Sequence, residues 1–227
     1  MRLLLIRHGQ TPANVRGELA TARPGPGLTS LGEEQARAVP HALAGEQIAA
    51  IYVSPLVRTS LTAAPLAEAL SLEPIVLEGL QEIEAGDLED RNDLPSVMDY
   101  VKTAFGWAQG HLDGRIPGAG DGHEFFARFD GAIGQIFATH QDATVAVVSH
   151  GAAIRVWSVA RGDNLSGDSS LIRHLDNTGV VVLSGSPADG WIVETWEGEP
   201  VGGDQLADDT APDPTGDAEP GPDALVE

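Results

Sequence analysis

The chain has 227 residues, 42% of them hydrophobic, enough for one sizeable core. It carries no cysteine, which excludes disulfides and thiolate chemistry, and its net charge of -21, with Lys102 the single lysine, opposes nucleic acid and anionic lipid at long range. Met1-Arg2 and the four aliphatic residues after it are too short for a signal-peptide core, and no apolar run approaches a membrane span, so the expectation is a soluble cytoplasmic protein.

In chain order, Leu3–Ile6 is a short apolar run closed by Arg7-His8-Gly9-Gln10-Thr11, which reads as a buried strand with a loop at its carboxyl end. Thr29 precedes a helical pattern with acids in its first turn and is the expected N-cap. Ala50–Val53 reads as a second strand, and Pro55 suits the first position of the helix that follows, which Pro65 is expected to kink or interrupt. Ile75–Leu77 reads as a short strand, Asp93–Gln109 and Gly122–Thr139 as helices, and Thr144–Val148 as a buried strand running into Ser149-His150-Gly151. A helix over Ala152–Ala160 and strands over Val180–Leu183 and Trp191–Trp196, the last two joined as a hairpin, complete the body. Strands alternating with helices predict an α/β sheet covered by helices on both faces. From Glu197 onward the chain has ten acidic residues, no basic ones and no aromatics, so residues 1–196 are expected to form the folded domain and 197–227 an acidic disordered tail.

The chemistry concentrates at loops that follow strands. In open α/β sheets ligands bind at the carboxyl ends of strands. If the first strand and the Thr144–Val148 strand are neighbours, His8 and His150 face each other across one crevice with Arg7 beside them. Two imidazoles and a guanidinium suit a phosphoryl group, since one ring nitrogen can attack phosphorus while the other groups hold its oxygens. Gly9 lets the backbone approach a ligand closely. Arg58 lies in the first turn of a helix, where a cation opposes the helix dipole and an anion between them would compensate. The segment from Leu80 to Asp90 crowds five carboxylates, Glu82, Glu84, Asp87, Glu89 and Asp90, one of which could protonate a leaving oxygen. Their spacing does not say which. Two imidazoles near carboxylates could also serve as metal ligands, although a guanidinium at Arg7 would then sit beside a dication.

Arg7-His8-Gly9-Gln10-Thr11, Ser54-Pro55-Leu56-Val57-Arg58-Thr59, the Leu80-x-Glu82-x-x-x-Gly86 segment and Ser149-His150-Gly151 occur in the order found in the histidine phosphatase superfamily, and the chain from about Arg2 to Leu183 resembles its phosphoglycerate-mutase-like branch. The resemblance implies a three-layer α/β sandwich with a mostly parallel sheet and one antiparallel edge strand. It implies His8 as the nucleophile that becomes a phosphohistidine, a phosphate pocket of Arg7, Arg58, His150 and Asn14, and Glu82 as the proton donor. It implies no metal or other cofactor. The activity implied is that of a histidine acid-type phosphatase, a hydrolase of phosphoric monoesters acting on a small phosphorylated metabolite. The alternatives are a phosphoglycerate-type mutase and a non-catalytic phosphate-binding module. Two segments depart from the family: Pro117–Glu124 lacks its Gly-Gly-Glu-Ser, and the loop from Arg16 to Gly27 lacks the Gly-x-x-Asp of many mutases. That loop and the stretch from Asn92 to Gly114 are expected to form the leaving-group pocket. The expected partner is the small substrate alone, with neither nucleic acid nor membrane. Oligomeric state is open, a homodimer included.

Overall fold

The computed structural model describes residues 1–165 and 173–216, arranged around one six-stranded sheet. Its strands are β1 (Arg2–Arg7), β2 (Ile48–Val53), β3 (Ile75–Val76), β4 (Thr144–Ser149), β5 (Val180–Ser186) and β6 (Gly190–Glu197), in the order β3-β2-β4-β1-β5-β6. The first four run parallel, while β5 is antiparallel to both β1 and β6. The expectation of one antiparallel edge strand is corrected in detail: β5 lies second from the edge, and the hairpin to β6 turns the edge strand back to the direction of β1.

Alternation along the strands builds two cores. Leu3 and Leu5 of β1, with Val145 and Val147 of β4, face α4 (Leu94–Ala108), α5 (Gly122–Thr139) and α6 (Gly151–Arg161). Leu4 and Ile6, with Ala146 and Val148, face α2 (Ser30–Ala42) and α3 (Val57–Leu70) through Val39, Ala63 and Leu66. The result is the expected three-layer α/β sandwich. None of the described helices is long and apolar enough to cross a membrane.

Local signals account for most helix ends. Thr29 caps α2 through the Gly32 amide, Asp93 caps α4, and Asp121 with Glu124 forms a reciprocal capping box at α5. Three expectations are corrected. Pro55 lies outside α3, which begins at Val57 with Leu56 as N-cap and runs unbroken through Pro65. A short helix not anticipated, α1 (Pro12–Arg16), follows the Arg7–Thr11 loop, capped by Thr11 with Asn14 closing the box. The compositional boundary at Glu197 is not where packing stops: Glu197 ends β6, Val201 is buried in the core on the α2/α3 side, and Asp213 and Thr215 are buried against the body. Polar contacts, rather than an apolar face, hold this segment. The final eleven residues of the expected tail, and Ser166–Ile172 before β5, lie outside the described residues.

Candidate active site

The neighbouring of β1 and β4 decides the site. Arg7 pairs with Ser149 in register, so His8 and His150 leave the sheet side by side, with ring centroids 5.2 Å apart and planes at 62°. Both rings are buried.

His8 Nδ1 lies 2.8 Å from the Gly9 carbonyl, which can only accept, so the hydrogen is on Nδ1 and the Nε2 lone pair is left for chemistry. The space that Gly9 provides is taken by α2: a Cβ there would come within 2.6 Å of the Gly32 carbonyl oxygen. Its glycine character thus brings the His8 loop against a helix end, with the Gly9 amide donating to Thr62 Oγ1. His150 is the N-cap of α6, and Ser149 ends β4 and donates to the Leu80 carbonyl. His150 Nε2 meets Ser54 Oγ at 2.7 Å. When that hydroxyl donates, the hydrogen of the neutral ring sits on Nδ1, a buried atom without a protein partner.

Burial holds both imidazoles far below their ordinary pKa, and the Arg58 and Arg7 guanidinium groups push in the same direction. The rings are therefore neutral near pH 7. Arg58, itself buried, is drawn down to about 10 by that burial. It donates Nη2 to the Ala20 carbonyl, while its Nε and Nη1 have no protein acceptor. Arg7, at the last position of β1, is fully buried, and its Nε is likewise unmatched. Three buried N–H-bearing atoms, Arg7 Nε and Arg58 Nε and Nη1, thus lack acceptors in a protein otherwise rich in carboxylates, and His150 Nδ1 joins them when Ser54 donates. Buried donors without acceptors are costly unless something else accepts from them. An anion with several oxygens would.

Burial separates the crowded carboxylates. Glu82 is enclosed and accepts from the Ala152 and Ala153 amides at 3.2 and 2.8 Å and from the Ile83 amide at 2.9 Å, seated on the first turn of α6. Burial raises its pKa, opposed by those amides and by Arg58. Glu89 accepts from Thr21 and the Ala22 amide, and Glu84, Asp87 and Asp90 are exposed. Asn14 lies buried in the α1 cap and donates to Asp213.

Several residues here had no sequence signal. Arg128 of α5 donates to the carbonyls of Gly79, Gln81 and Glu82 at 2.7–2.8 Å, and Tyr100 donates to that of Ile83, so both hold the Glu82 segment in place. Asp213 and Thr215 both contact Arg7. A cavity of about 360 Å³ lies between Thr21–Arg23 and the 81–89 segment, bounded by Leu56, Glu84 and Glu89. The expected loop contributes to it, and the Asn92–Gly114 stretch contributes Trp107 to a second cavity of about 370 Å³ that also borders Ile83 and Glu84. Among the described residues, His174, Asp176 and Glu199 group closely enough to hold a cation; this group includes neither His8 nor His150.

The sequence pattern of the histidine phosphatase superfamily (branch 1) matches residues 3–198. A PE-PGRS family protein of Mycobacterium tuberculosis is 39% identical over 212 residues, covering 87% of this chain and 36% of its own length, so the chain spans about a third of that relative. A probable phosphoglycerate mutase of Enterobacter sp. is 32% identical over 158 residues, covering 68% of this chain and 71% of its own. The solved structure of a mycobacterial glucosyl-3-phosphoglycerate phosphatase in complex with VO3 superposes with a TM-score of 0.73 at 25% identity, covering 87% of this chain and 99% of that one.

Proposed function

Since the chain belongs to the histidine phosphatase superfamily, branch 1, we propose that it hydrolyses phosphomonoesters of small metabolites through a phosphohistidine at His8, without a metal. The observation that carries this reading is the set of buried, unmatched N–H groups on Arg7 and Arg58, with the unpartnered Nδ1 of His150, beside the free Nε2 of His8. In the first step the Nε2 lone pair forms a bond to phosphorus as the ester P–O bond breaks, and the leaving alkoxide takes the Glu82 proton. Arg7, Arg58, His150 and Asn14 hold the phosphoryl oxygens, which gain charge as the bond breaks. In the second step water attacks phosphorus, giving its proton to the Glu82 carboxylate. The P–N bond breaks with its electron pair returning to Nε2, and orthophosphate leaves. A raised pKa suits Glu82 to both tasks.

Two carboxylates, Glu84 and Glu89, line the cavity next to Glu82, and its one arginine, Arg23, is paired with Glu78. With the leaving group seated in this cavity, such a lining would disfavour a second anionic group on it. It supports hydrolysis of a monophosphate with an uncharged, hydroxyl-bearing leaving group over a mutase, which must retain a bisphosphate. The mutase reading rests on the similarity to probable phosphoglycerate mutases. The two guanidinium groups beside His8 and His150 argue against a metallohydrolase, because they would repel a dication.

A panel of phosphorylated sugars, alcohols and acids, assayed for phosphate release, tests the proposal. It is accompanied by trapping of acid-labile, base-stable label on wild type and on His8→Ala. Release with label confined to wild type is expected. Rapid isomerisation of 3-phosphoglycerate without phosphate release would establish the mutase instead, and binding of phosphate without turnover of any ester would establish a binding module.

A further inference from the structure

Arg7 is the phosphate-site residue with the most crowded surroundings, and the crowding comes from the acidic C-terminal segment. Nη1 donates to the Leu175 carbonyl at 2.8 Å. Nη2 donates to Thr215 Oγ1 at 3.0 Å and forms a buried ion pair with Asp213 Oδ2. Both hydrogens of Nη2 are thereby used by one short stretch of chain, and the Nε edge is left unmatched. That edge borders the start of α6, since a Cβ on Gly151 would lie 2.9 Å from Arg7 Nε and 2.4 Å from the Thr215 carbonyl oxygen. Asp213 does more than neutralise Arg7: its Oδ1 accepts from Asn14 Nδ2 at 3.3 Å and from Thr215 Oγ1 at 3.2 Å, linking a second phosphate-site residue to the first.

The segment that carries Asp213 is itself anchored. Arg155 Nη1 of α6 donates to the Thr215 carbonyl, the Leu175 amide to that of Gly216, Gln10 to Asp208, and Gln35 to the Leu206 carbonyl.

Resting on the phosphatase reading above, we propose that Asp213, assisted by Thr215, is a positioning residue: from the C-terminal segment it clamps the Nη2 end of Arg7 and the amide of Asn14, so that the Nε edge of Arg7 is presented to the transferring phosphoryl group. A guanidinium freed from this clamp would keep its charge and lose its place, and a misplacement of about 1 Å can cost on the order of 10²-fold in rate.

The test is a double-mutant cycle between Asp213 and Arg7 in the full-length chain, read twice: as hydrolysis of p-nitrophenyl phosphate and as the dissociation constant of orthovanadate. Asp213→Ala is expected to lower kcat about 10- to 100-fold, to change KM by less than about 3-fold, and to weaken vanadate about 10-fold. In an Arg7→Ala background the same change is expected to do almost nothing. Asp213→Asn, which preserves shape and an acceptor, is expected to recover part of the loss; it also carries the test should the alanine variant fail to fold. Additive effects of Asp213 and Arg7 overturn the proposal, because a merely structural Asp213 would act whether or not Arg7 is present. A rise in kcat/KM or tighter vanadate binding in Asp213→Asn overturns it as well, showing that the carboxylate competes with the ligand. Wild type that binds vanadate with the expected coupling but releases no phosphate from any ester overturns the phosphatase reading and leaves the clamp supported.

Discussion

The two site imidazoles are both buried and both held neutral, which gives folding stability a specific pH dependence. His8 and His150 are 3% and 0% exposed and keep their pKa well below 6.5 through burial and the two guanidinium groups. In the unfolded chain each titrates near its ordinary value of about 6.5. As pH falls through that value the unfolded state gains protons that the folded state refuses, so stability falls with pH. Between pH 7.5 and 5.5 one such group costs about 1.4 kcal/mol, and the pair costs about 2.7 kcal/mol. Glu82 works with the opposite sign: its raised pKa lets the folded state hold a proton that the unfolded state has lost, so it regains some stability as pH falls towards 4.5. Comparing wild type with His8→Asn separates these effects, because Glu82 is common to both. Urea unfolding in phosphate-free buffer is the assay, since phosphate binding would add stability by mass action. The difference in unfolding free energy between wild type and variant is expected to shift by about 1.4 kcal/mol over those two pH units, with wild type the more acid-sensitive and the m-value unchanged. Equal pH dependence in the two proteins would refute the argument, because it would mean that His8 titrates normally in the folded state.

Glu82→Gln is expected to slow alkyl phosphates far more than p-nitrophenyl phosphate in single-turnover experiments, because only the alkoxide needs a proton as it departs; the same pattern in Glu84→Gln instead would move the donor to that residue. Arg128→Ala removes hydrogen bonds to the Gly79, Gln81 and Glu82 carbonyls, with an expected loss of about 2–4 kcal/mol in urea unfolding and a lower kcat, since Glu82 rides on that segment. Deleting residues 217–227 is expected to leave Tm and kcat unchanged, whereas deleting 198–227 should lower both by stripping Val201, Asp213 and Thr215 from the body; equal behaviour of the two truncations would refute the packed segment. At low ionic strength kcat/KM for a dianionic phosphoester should rise on adding salt, because a chain of net charge -21 repels the substrate until its field is screened; a fall with salt would show that the site's own arginines dominate the approach.

The parts of this molecule legible in the sequence were those written in periodicity and caps. Leu3–Ile6 and Thr144–Val148 stood out as apolar runs, and α5 was bounded as observed at Gly122 and Thr139, where Phe125, Phe126, Phe129, Ile133 and Phe137 recur near one face. Both histidines and Arg58 could be placed because each sits where a strand meets a loop or a helix start. The choice among five carboxylates could not be made on residue order, since Glu82 and Glu84 differ by burial and by the α6 amides rather than by composition. Arg128 was invisible for a related reason: an arginine on an amphipathic helix reads as a surface residue until the carbonyls that it serves come from 46 to 49 residues away. The C-terminal segment was misjudged because a disorder argument counts apolar periodicity, and this stretch is held by polar contacts to the buried Arg7 and Arg155 and by burial of Pro200 and Val201.

The distribution of arginines explains how so acidic a chain can hold a phosphate site. Arg2, Arg16, Arg23, Arg37, Arg91, Arg115 and Arg161 all lie at the surface, each against a carboxylate. Exposed pairs of this kind contribute little stability, but they cancel positive charge wherever a phosphorylated molecule might otherwise settle. Among the described residues, the arginines with buried N–H groups unmatched are Arg7 and Arg58, the two beside the imidazoles. Attraction for a phosphoryl group is thereby confined to one small volume of low polarity, where a charge acts most strongly. On the proposed reading, polyanions would be repelled at a distance, and a small monoester would be held only once its phosphate had entered far enough to reach His8. On this argument the acidic composition acts as a filter on substrate size and charge, and the acidic C-terminal segment contributes twice: its general charge adds to the repulsion, and Asp213 orients the arginine that overcomes it.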